Sequence, residues 1–202
     1  MNKHFVVGLT GQYATGKSTV TKVFEDYNYQ IIGVDILGHR ALIDKRNEII
    51  KVFGENILDQ NGFVDRKRLG SLVFKDEKLL IILENIVHPW MINRVEQIIK
   101  ESNSIRILIN AAILIKMKLN LLCNRVILLS TPEEMIIQWA MERDKLTENE
   151  IKQRLKNQLP VKLSQSYADY HIENNGNLDM LTNKARQIID LIEQEIVNGR
   201  SV

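Results

Sequence analysis

Gly11, Gly16, Lys17 and Ser18 are the residues whose types and spacing point most directly to chemistry. They stand as Gly11-x-x-x-x-Gly16-Lys17-Ser18, the spacing of a phosphate-binding loop. The two glycines allow backbone conformations that turn several N–H groups onto one phosphate. A helix opening near Lys17 adds its positive dipole end at the same point. The Lys17 ammonium can then reach the β- and γ-phosphates, and the Ser18 hydroxyl can ligate Mg²⁺. The pattern implies binding of a nucleoside triphosphate and leaves the fate of the γ-phosphate open.

Such a loop needs a strand before it and a helix after it. Residues 5–9 are a short apolar run of the kind buried in a parallel sheet, and Val20, Val23, Phe24 and Tyr27 follow at helical spacing. Further strands are expected over 29–34, 104–109, 125–129 and 168–173, giving an α/β chain. Asp35 directly follows the second of these. In an open parallel sheet ligands bind at the carboxyl ends of the strands. Asp35 could therefore accept a proton from a substrate hydroxyl or hold Mg²⁺ through water. An ordinary helix N-cap explains it equally well, because residues 36–42 look helical. The third strand ends at Asn110, where many proteins with this loop carry a carboxylate.

Between the second and third strands lies more helical sequence than one crossover requires. Helices are expected over 47–53, 65–74 and 77–100, with Pro89 kinking or breaking the last and His88 biased away from helix. Residues 111–118 are expected to continue as a helix. After the fourth strand, Thr131 is expected to cap a helix in a capping box closed by Glu134. A second box, Thr147-x-x-Glu150, starts another helix that runs to about Pro160. Arg143 and Arg154 on this pair could close onto phosphates as a lid, or could simply be solvated surface arginines. Asn174-Asn175-Gly176 reads as a turn, placed to lie beside a nucleotide base, and Asn177 caps the last helix.

A chain of 202 residues suits one domain, and 45% apolar residues suffice for a substantial core. A formal charge of +2 argues for neither nucleic acid nor a membrane surface. Cys123 stands alone, so no intrachain disulfide is expected. With no signal peptide expected ahead of the first strand, the expected setting is cytoplasmic.

Taken together, these motifs resemble the dephospho-CoA kinase family. The likeness rests on Gly8-Leu9-Thr10-Gly11 through Gly16-Lys17-Ser18-Thr19-Val20, on Val34-Asp35 with Leu37-Gly38-His39, and on Asp65-Arg66-x-x-Leu69 with Val73-Phe74. It continues in Leu83-Glu84-x-Ile86-x-His88-Pro89, Arg143-Asp144-x-Leu146-Thr147, Arg154-x-x-x-Gln158, Ala168-Asp169 and Asn174-x-Gly176. The resemblance implies a three-layer P-loop kinase fold: a parallel five-stranded sheet with a helical CoA-binding insert and a lid. One domain over 1–202 would divide into a core (1–35, 104–135 and 165–202), an acceptor-binding insert (about 36–103) and a lid (about 138–162).

The implied reaction moves the γ-phosphate of ATP to the ribose 3′-hydroxyl of dephospho-CoA, giving coenzyme A and ADP with Mg²⁺ as cofactor. Lys17, Asp35 and Arg143 would be catalytic. Gly11, Ala14, Thr15, Gly16, Lys17, Ser18, Thr19, Asn174 and Gly176 would hold the nucleotide. Asp35, Arg66 and His88 would bind the acceptor, and Ser18 the metal. The implied partners are these two small molecules, without nucleic acid or membrane, for a monomer or weak homo-oligomer. Three positions depart from the family pattern: Gly33 in place of an acid, Lys116 in place of a glutamate, and Gln12-Tyr13-Ala14-Thr15 inside the loop, where Tyr13 is expected to face solvent or the acceptor. Two other readings would fit the loop: a kinase for a nucleoside or another small alcohol, and a regulator that binds nucleotide without transfer.

Overall fold

The computed structural model describes residues 4–156 and 158–199. The sheet is built from β1 (Phe5–Gly11), β2 (Gln30–Gly33), β3 (Arg106–Asn110), β4 (Arg125–Ser130) and β5 (Tyr170–Glu173) in the order β2-β3-β1-β4-β5. β1 lies between β3 and β4 and pairs in parallel with both, Leu9 standing opposite Asn110 and Ile127. The chain crosses to β2 on one side of β1 and later to β4 on the other. The carboxyl end of β1 is therefore the switch point where an open parallel sheet leaves a crevice for ligands.

One face of the sheet is covered by α1 (Lys17–Asp26) and α9 (Leu178–Asn198). Their apolar stripes, Val20, Val23 and Phe24 on α1 and Leu181, Ala185, Ile189, Ile192 and Ile196 on α9, bury Val7, Leu9, Leu108, Ile127 and Leu129 of the strands. Polar ties cross the rim of this core. Glu193 accepts from the Arg106 guanidinium and from the Tyr29 hydroxyl (2.8 Å), and burial pushes the Tyr29 phenol well above its usual range. Glu195 takes the same place for Arg125 and Tyr170.

Two compact units divide the chain: one runs up to Ile32 and resumes at Glu101, and the other is Gly33–Lys100. The second unit holds α2 (Val34–Asp44), α3 (Arg46–Phe53), α4 (Arg66–Val73) and α5 (Glu77–Glu101, its last residue in the first unit). Asp65 caps α4, accepting from the backbone N–H groups of Lys67 (2.8 Å) and Arg68 (3.1 Å). Those bonds hold its carboxyl below the usual range, the one from Arg68 contributing most. The first unit continues with α6 (Glu133–Asp144), α7 (Glu148–Lys156) and α8 (Val161–Gln165). Among the described residues no helix is long and apolar enough to cross a membrane.

Several sequence expectations are corrected. α5 runs unbroken through His88 and Pro89. The backbone bond lost at proline is offset by burial of Val87, Met91 and Val95 along one side. Residues 111–118 form turns rather than a helix, because Ala111, Leu114 and Met117 are drawn into the core and Lys118 turns left-handed (φ 57°). Leu114 then fills the space beside Gly8, where a Cβ would come within 2.7 Å of it. Thr131 does not cap α6. β4 extends to Ser130, whose carbonyl accepts the Asn174 N–H (2.8 Å), so the helix starts one residue later with Pro132 at the cap. The second capping box does form: Glu150 accepts from the Thr147 N–H (2.8 Å) and hydroxyl (2.7 Å). α8, opening at Pro160, has no counterpart in the sequence reading.

Candidate functional site

The loop that follows β1 is shaped by positions where only small residues fit. Gly11 has φ 152°, and a Cβ there would meet the Leu129 carbonyl oxygen at 2.4 Å. Gly16 has φ 98°, and a Cβ would meet the Asn174 amide nitrogen at 2.9 Å. Ala14 is left-handed at φ 59°, a conformation that disfavours larger side chains. Thr15 is fully buried; its hydroxyl donates to the Gln12 carbonyl (2.8 Å), and its own carbonyl accepts from Asn174 Nδ2 (3.0 Å). The loop is thus closed on itself and tied to the end of β5.

α1 starts at once from Gly16, which has no side chain to cap it, and its first turn, Lys17-Ser18-Thr19, carries no carboxylate. The Thr19 N–H donates to the Gly16 carbonyl (3.0 Å), and the positive end of the helix dipole faces the loop, where it favours an anion. The Lys17 ammonium bridges the Gly11 (2.7 Å) and Gln12 (2.8 Å) carbonyls across the loop. Ser18 is exposed beside it. At the end of β3, Asn110 Nδ2 donates to the Thr21 hydroxyl (3.0 Å), which donates to the Lys17 carbonyl (2.9 Å), so the amide in the usual carboxylate position braces α1.

The expected lid pair, α6 and α7, packs on the same loop. Ile136, Ala140, Ile151 and Leu155 form a small apolar cluster that takes in Tyr13 and Ala14. Tyr13 is half-buried and packs against these helices. The Arg143 and Arg154 guanidiniums lie 5.5 and 5.1 Å from its ring centre. Its hydroxyl donates to Asp144, and its backbone N–H donates to Gln158 Oε1 (2.8 Å). Arg143 is also forked onto Asp144 at 2.9 and 2.8 Å.

The turn after β5 is anchored to the loop and to α9. Asn174 is buried and its amide is committed to Thr15, while Gly176 lies against Met180, whose sulfur a Cβ would meet at 2.7 Å.

Asp35, Arg66 and His88 belong to the second unit. Asp35 is exposed in the first turn of α2, two residues past β2; Gly33, not Asp35, occupies the cap. One turn further on, His39 shares its side of the helix, and His39 Nε2 pairs with Arg66 Nη1. His88 is half-buried within α5. His39 belongs to the Leu37-Gly38-His39 motif, and its i+4 spacing from Asp35 is the sequence signal that singles it out. Tyr13 and Gln158 offered no comparable signal, since their contacts span more than 100 residues of chain.

Comparison with known proteins bears on what this arrangement does. Residues 5–180 match the family model described as dephospho-CoA kinase. A dephospho-CoA kinase of Wolinella succinogenes is 31% identical over 195 residues, covering 95% of this chain and 96% of that protein. That of Borreliella burgdorferi is 39% identical over 132 residues, 65% of this chain and 64% of the relative's length. The structure of a dephospho-CoA kinase from Campylobacter jejuni superimposes with a TM-score of 0.66 at 27% identity, covering 96% of this chain and 98% of that one. The chain belongs to the dephospho-CoA kinase family, P-loop kinases that phosphorylate dephospho-CoA at the expense of ATP in the final step of coenzyme A synthesis.

Proposed function

We propose that this chain moves the γ-phosphoryl group of ATP to the ribose 3′-hydroxyl of dephospho-CoA with Lys17, Asp35 and Arg143 as the catalytic residues. The observation that carries the reading is the phosphate cradle: a loop fixed by Gly11, Gly16, Thr15 and Asn174 in front of an uncapped helix, with the Lys17 ammonium across its mouth. Backbone N–H groups of the loop and the start of α1, from Ala14 to Ser18, hold the β-phosphate, with Thr19 completing the first turn behind them. Lys17 leaves the loop carbonyls and follows the migrating γ-phosphoryl group, stabilising charge as it develops. Asp35 accepts the proton of the 3′-hydroxyl. Its support is the family resemblance and its position just past the carboxyl end of β2.

Arg66, with His39 against it, and His88 bind the acceptor. Arg143, on the lid, offsets the charge spread over the transferring oxygens. Asn174 and Gly176 serve the nucleotide through the loop they brace and the turn they form. Ser18, an exposed hydroxyl on a first turn without carboxylates, suits a cation that is already bound mainly by phosphate oxygens. It is the residue that would hold Mg²⁺, which when bound neutralises charge on the β- and γ-oxygens. Residues 36–103 act as the acceptor-binding insert and 138–162 as the lid. A cytoplasmic setting, in a monomer or weak homo-oligomer, fits a chain with a single cysteine whose thiol is pushed up to about 12 by burial, with Asp169 adding to it.

The test is Asp35→Asn. Turnover is expected to fall by about 10²-fold while ATP binding survives, as loss of a general base does. Wild-type turnover would remove Asp35 from the mechanism.

A further inference from the structure

Tyr13 is among the most heavily engaged residues of the phosphate loop. Its ring carries both lid guanidiniums, Arg143 from α6 at 5.5 Å and Arg154 from α7 at 5.1 Å. Its hydroxyl and the Arg143 fork meet on one carboxylate, Asp144. Tyr13, Asp144 and Arg143 therefore form a closed triangle in which the guanidinium is fixed both over the ring and edge-on to the carboxylate. A flexible arginine on an exposed helix end would otherwise sample many rotamers. The Tyr13 N–H adds a fourth tie, to Gln158 beyond α7. Both lid helices and the segment after them thus converge on one residue of the phosphate loop.

We infer that Tyr13 is a positioning residue: it sets the Arg143 guanidinium in register with the phosphate loop, so that the lid arginine is aimed by the loop it serves. Binding of the acceptor does not pass through this contact, whereas stabilisation of the transferring phosphoryl group does. The inference rests on the role proposed above for Arg143.

The experiment compares Tyr13→Ala, Tyr13→Phe, Arg143→Ala and the Tyr13→Ala/Arg143→Ala double variant in steady-state kinetics. Amide hydrogen exchange across α6 and α7 is followed in the same proteins. Tyr13→Ala is expected to lower kcat about 10-fold with KM for dephospho-CoA within about twofold, an effect a merely structural role would not confine to kcat. Tyr13→Phe keeps the ring and is expected to recover turnover to within about threefold. The double variant is expected to be no slower than Arg143→Ala alone, since the tyrosine acts through the arginine. Exchange in α7 is expected to quicken in Tyr13→Ala and to change little in Tyr13→Phe.

A double variant as slow as the product of the two single losses overturns the inference, as does unaltered α7 exchange in Tyr13→Ala. A slow Arg143→Ala beside a wild-type Tyr13→Ala overturns the inference alone. Arg143→Ala at wild-type turnover brings down the role proposed for the arginine and the inference with it.

Discussion

The phosphate loop and the α6–α7 pair lie against each other but are held by different physics. The loop hangs from β1, where Val7 and Leu9 are fully buried beside Ile127 and Leu129 of β4, and it is closed by backbone carbonyls and the buried amide of Asn174. The helix pair has only Ile136, Ala140, Ile151 and Leu155 as buried apolar residues, with ion pairs such as Lys152–Glu148 on exposed surface. Exposed pairs of that kind contribute little. The difference separates two tasks. Binding a phosphate requires N–H groups already in place, which a dense core and committed carbonyls secure. A segment held by a four-residue apolar cluster opens locally at less cost than global unfolding, which suits the lid role proposed for α6 and α7.

Lys17→Ala strikes the rigid side and is expected to have the largest effect, a fall in turnover of about 10³-fold with the fold intact by circular dichroism. Equal turnover would mean that the cradle alone carries the phosphate charge. Asn174→Ala should come next. It leaves the Thr15 carbonyl unsatisfied in a buried place, and KM for ATP is expected to rise about 10-fold; an unchanged KM would show that the loop holds its shape without β5.

The two apolar cores can be set against each other directly. Ile189 and Ile151 are both fully buried. Ile189→Ala is expected to lower global stability by about 2–5 kcal/mol in urea denaturation. Ile151→Ala should leave the urea midpoint nearly unchanged while speeding amide exchange in α6 and α7. Equal shifts in midpoint would make the helix pair part of the main cooperative unit.

The smallest expected effect concerns acid. The Thr147 N–H holds the Glu150 carboxyl below its usual range. Because the folded value is the lower one, the stabilisation is present above the ordinary glutamate range and is lost as pH falls through the lowered value. Exchange in α7, corrected for intrinsic rates, should quicken over that window in the wild-type protein and show no such step in Glu150→Ala.

The sequence made the rigid side readable because its constraints are local. Gly11, Gly16, Lys17 and Ser18 lie within eight residues, and strand, loop and helix announce themselves by apolar spacing. The capping box at Thr147 and the cap at Asn177 are equally local, and both form. Features decided by distant contacts were hidden. Thr131 lost its capping place because Asn174 binds the Ser130 carbonyl and lengthens β4. Residues 111–118 satisfied a helical pattern, yet core burial of Leu114 and Met117 bent them into turns. Pro89 carried a local signal that packing overrode. Tyr13 read as a misfit in its loop because its reason, two arginines and a carboxylate more than 120 residues away, is written elsewhere in the chain.

Acceptor-dependent transfer from the cradle can be measured by mixing the protein with ATP and Mg²⁺, with and without dephospho-CoA, and following ADP release while the product is identified by mass. ADP formation is expected to require dephospho-CoA and to match coenzyme A formation mole for mole. ATP that binds without acceptor-dependent release of ADP, or a product lacking the added phosphate, would contradict the proposed transfer.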